Sequence, residues 1–508
     1  MPPTPTRPPH YAELCGLLKE AATLGSIGSL LGWDQETYMP PAAAGHRAQQ
    51  QALVAGLVHE RQSSPRVGEL LQACEADPAL RQDPAAAANL REMRRDYDRA
   101  TKVPTDLVAE LARTGSLAQE AWKDARARND FPAFAPWLTK MMTLSRRKAD
   151  CLAPGSPEPY DALLDEYEPG MTAKEIAAVF APLRDRLAQL IGRVRASGRT
   201  PDQSVLKIRT DPQQQHRFGE LVLKAMGFDL SAGRLDVTTH PFCSGMAPGD
   251  TRLTTRYTGE GFLEPLYGTM HEGGHGLYEQ GLPKADHFGE PLGEAISLGI
   301  HESQSRMWEN FVGRGRAFWE WALPEARRLL GPALEPVTVD AVYAAANTVR
   351  PSFIRVESDE STYNLHIMLR FEIERALISG DLRADDLPGV WNERFESYLG
   401  LKVPDDRRGC LQDVHWSFGL VGYFPTYTLG NLYAAQLWEM INRQLPGLES
   451  DIRRGELIPL RDWLRANIHA HGKRYRAAEL CQRVTGRPLS SDPLLRHLES
   501  RLAPVYGL

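Results

Sequence analysis

Apolar residues recur every three or four positions along most of this chain, and that spacing commits it to helices. Tyr11–Leu30, Ala48–Gln62, Ala86–Ala100 and Thr105–Asn129 all show the spacing among many Ala, Leu, Glu and Arg, which favour helix. Proline and glycine punctuate the pattern at Met39-Pro40-Pro41, Ala153-Pro154-Gly155 and Glu168-Pro169-Gly170, with further breaks expected near Pro324, Pro351, Pro404 and Pro446. Thr172, followed three residues on by Glu175, reads as a capping box opening a helix. One region departs from the pattern. Arg234–Phe242 and Asp250–Tyr257 are rich in β-branched residues in near-alternation, and Cys243–Gly249 between them reads as a turn. A small hairpin or three-stranded sheet is expected there, with helices resuming at about Gly261. No repeat or low-complexity linker divides the chain. The expectation is a mainly α fold forming one domain over 1–508. Residues 1–10, dense in proline, form a flexible leader; about 11–200 form an N-terminal helical lobe; 201–508 form the lobe that carries the chemistry.

Composition narrows the function. With 508 residues the chain can bury a large core without staples. A formal net charge of −6 argues against a nucleic-acid binder and against a polybasic membrane anchor. Cys15, Cys74, Cys151, Cys243, Cys410 and Cys481 form no CxxC pair and read as isolated thiols in a reducing compartment; Cys243 and Cys410 are taken as packing residues. The N-terminus has no apolar core of a secretory signal, and no stretch approaches eighteen consecutive apolar residues. A cytoplasmic location and no membrane span are expected.

Met270-His271-Glu272-Gly273-Gly274-His275-Gly276 contains an HExxH pattern. On a helix, positions i and i+4 share a face, so both imidazoles can reach one ion. Glu272 lies about 100° further around, where it can meet an activated water without being a ligand. Glycines 273 and 274 weaken a helix but let another backbone or a substrate approach closely. Two imidazoles need a third ligand, leaving a fourth position for water. Glu302, in Gly299-Ile300-His301-Glu302-Ser303-Gln304, is a polar residue in an apolar helical run, and a buried carboxylate there needs a partner or a metal. His301, Glu294 and Glu309 are rival ligands. Two His and one Glu suit zinc; cobalt or manganese can occupy such a set.

Beyond these motifs stand His240-Pro241-Phe242, Asp250-Thr-Arg252-Leu-Thr254, Ile354-Arg355-Val-Glu-Ser358-Asp359, Gly409-Cys-Leu-Gln412-Asp413-Val-His415-Trp416 and Trp33-Asp34-Gln35-Glu36-Thr37-Tyr38-Met39-Pro40. Together and in their order along the chain, from about residue 11 to the C-terminus, they resemble the carboxypeptidase Taq family of metallocarboxypeptidases. Ser358 departs from the Ala usual in the family's IRxxAD motif. The resemblance implies a large helical bundle-like fold with a deep central groove and a small sheet beside the active site. It also implies a homodimer, and release of single residues from peptide C-termini with broad side-chain tolerance.

The resemblance distributes roles. His271, His275 and Glu302 hold the metal, and Glu272 is the general base. His415 and Tyr427 are candidates to donate to the oxyanion, with Asp413 setting the His415 tautomer. Arg355 is the candidate for the substrate carboxylate, its alternative being an ion pair with Glu357 or Asp359. Arg252 is the second candidate, unless Asp250 pairs with it. The strand Asp250–Tyr257 could align substrate by edge pairing, and His240 reads as structural or as a partner of a ligand. Glu279 is a possible partner of an imidazole. An oligopeptide endopeptidase or dipeptidyl carboxypeptidase is the nearest alternative. A non-enzymatic helical scaffold with a vestigial site is the alternative from another class.

Overall fold

The computed structural model describes residues 7–257, 259 and 261–508. The helices read from periodicity are present: α1 (Pro9–Thr37), α2 (Ala44–Gln62) and α3 (Pro84–Lys102) run beyond the expected bounds, and α4 (Thr105–Arg128) stops one residue short, where Asn129 caps it in the left-handed region. Residues 1–6 of the expected leader lie outside the described residues. Pro9 and His10 do not belong to a leader. They open α1, because a proline at the first helical position gives up only an N–H that has no partner anyway. Arg7 just before them pairs with Glu290. By length and composition α1 could cross a membrane, with an 18-residue window of mean hydropathy 1.2. It nevertheless carries Glu13, Lys19 and Glu20 and buries Tyr11, Leu14, Ala21 and Trp33.

Thr172 and Glu175 form the capping box as read, each side chain bonded to the other's backbone, at the start of α5 (Ala173–Ala196). Helices occupy the chain after residue 262. The ones that matter below are α6 (Leu263–Gly281), α7 (Leu298–Arg306), α8 (Arg316–Leu330), α9 (Glu360–Ser379) and α10 (Pro425–Gln444). Breaks occur near Pro351, Pro404 and Pro446, but Pro324 lies inside α8. Pro324 and Glu320 are both exposed, so the carbonyl that the ring deprives of a donor faces water, which limits the cost.

The β-branched region forms a three-stranded sheet in the order β1-β3-β2, with β1 (Gly233–Val237), β2 (Cys243–Ala247) and β3 (Asp250–Thr255). Most of the segment read as a turn is therefore strand β2; Pro248 and Gly249 alone reverse the chain, Gly249 at φ +77. β3 pairs parallel with β1 and antiparallel with β2. It is the central strand, its hydrogen-bonding groups committed on both sides, so it has no free edge on which to align a substrate. Among the described residues the free edges belong to β1 and β2.

The sheet anchors α1. Arg252 and Arg234 lie over the Trp33 ring, 4.3 and 5.1 Å from its centroid. The Tyr38 hydroxyl donates to Asp236 at 2.6 Å, and Thr238 Oγ1 donates to the Glu36 carbonyl at 3.0 Å. Trp33 and Tyr38 of the N-terminal motif therefore hold α1 on the sheet.

Apolar packing does not divide at residue 200. One cluster joins residues from Ala118 to Tyr506, because α5 buries Ile176, Leu183, Leu187 and Leu190 among later helices. A smaller separate cluster draws on Tyr11, Leu14, Leu70, Leu71, Leu90 and Met93. The separately packed N-terminal part among the described residues is thus shorter than the expected lobe.

Candidate metal centre

Three helices cross closely enough to bring the sequence-predicted ligands together, and glycines permit it. A Cβ on Gly274 of α6 would sit 2.5 Å from the Gln304 carbonyl oxygen and 2.7 Å from Ser305 Cα of α7. A Cβ on Gly430 of α10 would sit 2.6 Å from Glu302 Cβ. Of the two glycines in the HExxH motif, Gly274 meets a backbone, and Gly273 faces Leu223 and Met226 side chains. The start of α7 is fixed by Ser297, whose hydroxyl accepts from Ile300 N–H at 3.1 Å, and by the buried Glu168 carboxylate, which accepts from Gly299 N–H at 3.0 Å.

His271 and His275 stand one turn apart on α6, their rings 4.9 Å apart and nearly perpendicular. Their Nε2 atoms lie 3.6 and 3.5 Å from Glu302 Oε2. The three donor atoms all lie within 4.8 Å of one another. Bonds of 2.0–2.2 Å in a tetrahedron give ligand–ligand edges of about 3.3–3.6 Å, so this donor set fits a small divalent ion. Glu302 is buried and both imidazoles are half-buried, which leaves the ligand set open on one side.

The rival ligands stand elsewhere. Glu294 pairs with Lys473. Glu309 lies behind His271, accepting from its Nδ1 at 2.9 Å. It sits in a wider π-type turn, Met307–Gly313, that continues α7. Arg306 and Arg314 also bond Glu309, at 3.2 and 3.0 Å. Burial would raise this carboxyl, but Arg306, His271 and Arg314 overcome it and hold Glu309 well below the usual carboxylate range. His301 lies behind His275, with the two Nδ1 atoms 2.6 Å apart, and its Nε2 meets Glu279 Oε1 at 2.8 Å. Glu302 is itself held by Arg306 Nε at 2.7 Å and by the Ser305 hydroxyl at 3.0 Å. His240 is exposed, outside this ring of partners.

Glu272 adjoins the triad and is 7% exposed. Burial pushes its carboxyl up to about 7; His271 opposes and Glu302 reinforces the push. A carboxylate near neutrality can both accept and return a proton.

A second group of side chains forms a wall of rings and guanidiniums. Asp413 accepts from Arg355 Nε and Nη2 at 3.1 and 3.0 Å, and from Arg370 Nε at 2.7 Å. Arg355 is 6% exposed and also donates to the Tyr363 hydroxyl at 3.0 Å. Its ion-pair partner is therefore neither Glu357 nor Asp359; Asp359 instead caps α9. With both oxygens taken by arginines, Asp413 lies 3.9 Å from His415 Nδ1, too far to set its tautomer, and that nitrogen is buried with no hydrogen-bond partner among the described residues. Burial lowers His415 to about 4, Asp413 opposing and the two arginines reinforcing. His415 packs on Phe424 and Tyr423, 4.5 and 5.6 Å between centroids, and Tyr423 contacts Tyr427 at 5.5 Å. Arg355 lies over the Tyr427 ring at 5.2 Å. Arg306, bonded to Glu302, lies over Tyr363 at 4.9 Å, so this wall and the triad share one connected set of contacts. Arg252 is committed to Asp250 by two bonds of 2.8 and 2.9 Å and to the Trp33 ring.

The sequence reading missed the parts played by Arg306, Glu309, Tyr363 and Tyr423. Spacing held a usable signal for one of them: Glu309 lies seven residues, two helical turns, after Glu302. Glu279, four residues after His275 on the same face, does reach the ligand shell through His301. Cys243 and Cys410 are free thiols pushed up by burial, in keeping with packing roles.

Comparison with known proteins accords with this geometry. The model of the carboxypeptidase Taq (M32) metallopeptidase family matches residues 13–502. The chain is 48% identical over 507 residues to thermostable carboxypeptidase 1 of Thermus thermophilus, covering 98% of this chain and 99% of that one. It is 36% identical over 500 residues to carboxypeptidase 1 of Bacillus subtilis, again 98% and 99%. The crystal structure of the M32 carboxypeptidase of Deinococcus radiodurans superposes with a TM-score of 0.95 at 40% identity, covering 98% of this chain and 100% of that one. Pyrococcus furiosus carboxypeptidase gives 0.94 at 35%, covering 98% and 99%. The chain belongs to the carboxypeptidase Taq (M32) family and is a metallocarboxypeptidase, a hydrolase of peptide bonds.

Proposed function

We propose that this enzyme releases single residues from peptide C-termini with broad side-chain tolerance, that His271, His275 and Glu302 hold its metal, and that the metal is zinc. The supporting observation is the convergence of two Nε2 atoms and one carboxylate oxygen at tetrahedral-edge distances, with the buried Glu272 on the next position of the same helix. Cobalt or manganese fits the same donors.

A divalent ion held there acidifies water and polarises a carbonyl. Glu272 accepts the water proton as the oxygen attacks, then delivers it to the leaving amine. His415 and Tyr427 donate to the oxyanion of the tetrahedral intermediate. Arg355 receives the substrate's terminal carboxylate on guanidinium hydrogens left free by Asp413 and Tyr363; those two partners fix the plane of the fork beforehand. Arg252 contributes by holding α1 to the sheet through Trp33 rather than by touching substrate. A homodimer in the cytoplasm, acting on peptides and on neither nucleic acid nor membranes, completes the reading.

The test uses a blocked-amino dipeptide and a longer peptide, each incubated with zinc-loaded protein with and without chelator, the products identified by mass. Single C-terminal residues released only without chelator support the proposal. Dipeptides or internal fragments would replace it with a dipeptidyl carboxypeptidase or endopeptidase. Chelator-insensitive release would sink the metal role.

A further inference from the structure

We propose that His301, Glu279 and Lys284 form a positioning relay that fixes the ring proton of His275 and ties the metal centre to edge strand β2. The inference rests on His275 being a metal ligand. It begins with counting protons along a chain of contacts. His275 Nδ1 meets His301 Nδ1 at 2.6 Å, and His301 Nε2 meets Glu279 Oε1 at 2.8 Å. Lys284 Nζ pairs with Glu279 Oε2 and donates to the Gly245 carbonyl of β2 at 3.1 Å.

A carboxylate bonded to a lysine is an acceptor, so His301 Nε2 must carry a proton. Two arrangements of the remaining contact are then possible. If His301 also carried a proton on Nδ1, it would donate to His275 Nδ1, and the His275 proton would sit on Nε2, aimed at Glu302 and blocking a cation. If instead His275 carries its proton on Nδ1 and donates it to His301, His275 Nε2 presents a lone pair to the triad. Only the second arrangement is compatible with a metal, and Glu279 selects it by holding the His301 proton on the far side. His271 has a simpler version, its Nδ1 facing Glu309 directly.

The far end of the relay reaches the sheet. A Cβ on Gly245 would run into the Glu279 carboxylate, so the β2 backbone is in contact with the relay as well as bonded to it through Lys284. β2 is an edge strand. A displacement of its backbone at Gly245 moves Glu279, and through His301 it reorients the His275 ring, although Gly245 touches no ligand.

The test measures zinc affinity by competition with a chromophoric chelator for the wild type, His301→Leu, His301→Gln and Gly245→Ala, with melting of the metal-free proteins as the folding control. His301→Leu is expected to weaken zinc by about 10–100-fold, the usual cost of losing a ligand's partner. His301→Gln, whose amide can accept at one end and donate at the other, restores most of that affinity. Gly245→Ala weakens zinc in the same direction as His301→Leu. Wild-type affinity in His301→Leu or Gly245→Ala, or equal losses in His301→Leu and His301→Gln, would overturn the relay. If a variant does not fold, Glu279→Gln, which still accepts from His301 but no longer holds Lys284 by charge, takes its place and is expected to weaken zinc. Failure of the wild type itself to bind zinc would instead refute the ligand assignment, so the two failures are distinguishable.

Discussion

Replacing Gly274 by alanine puts a methyl group where the backbone of α7 crosses α6. The new Cβ would lie 2.5 Å from the Gln304 carbonyl oxygen, and ordinary contact begins at 3.4 Å, so the helices must part by about 0.9 Å. Backbone cannot rotate aside as a side-chain end can. His275 is the next residue on α6, and Glu302 lies two residues before Gln304 on α7, so the displacement falls on the metal centre. Ligand distances tolerate only about 0.2 Å, and a misplacement of about 1 Å costs on the order of 100-fold. Overpacking costs about 1–3 kcal/mol, partly offset by about 1 kcal/mol of helix propensity gained over glycine. The protein should therefore still fold, with zinc affinity and kcat/KM both down by about 100-fold. Gly273→Ala is the matched control. Its Cβ would meet Leu223 Cδ2 at 2.6 Å and Met226 Cε at 3.1 Å, both ends of flexible side chains. Chelator competition and peptide hydrolysis on both variants decide the matter. Wild-type zinc affinity in Gly274→Ala, or an equal loss in Gly273→Ala, would refute the reasoning.

Other perturbations have worked outcomes. Glu272→Gln removes the proton acceptor beside the triad but no ligand; it should lower kcat by about 10²–10⁴-fold with zinc content unchanged, and retention of activity would remove Glu272 from the mechanism. Asp413→Asn leaves Arg355 and Arg370 buried without their shared anion. That should cost about 3–5 kcal/mol and lower the melting temperature by about 3–5 °C, and an unchanged melting curve would contradict it. Burial raises the Glu168 carboxyl to about 7, against the bonds from Ser297, Gly299 and Tyr433. A raised carboxyl contributes stability that is full below the unfolded value and is lost as pH rises through about 7, roughly 3 kcal/mol in all. Glu168→Gln should flatten the fall in stability between pH 5 and 8 in denaturant titrations; a slope equal to the wild type's would exclude Glu168 as its source.

What was legible in the sequence was whatever depends on spacing along one helix. His271, Glu272 and His275 could be placed on α6 from their numbers alone, as could the capping box at Thr172. Contacts between elements were harder. Arg355 was readable as a carboxylate binder or as the partner of Glu357 or Asp359, but its anion is Asp413, 58 residues away, because the chain between them folds back to bring that carboxylate against both Arg355 and Arg370. β3 could be read as a strand, yet its place in the middle of the sheet depends on β1 pairing across the intervening β2. Pro324 shows the limit of breaker rules, since an exposed helix face lets water bond the orphaned carbonyl. His301 and Glu309 were rightly noticed near the ligands, but only packing separates a ligand from the residue that stands behind it.

The most direct measurement is the metal content of wild-type protein and of His271→Ala, His275→Ala and Glu302→Ala after dialysis against limiting zinc, with melting curves of the metal-free proteins alongside. The wild type should retain one zinc per chain and each variant far less. Zinc retained undiminished in Glu302→Ala would mean that the carboxylate from α7 is no ligand, and the account built on it would fall.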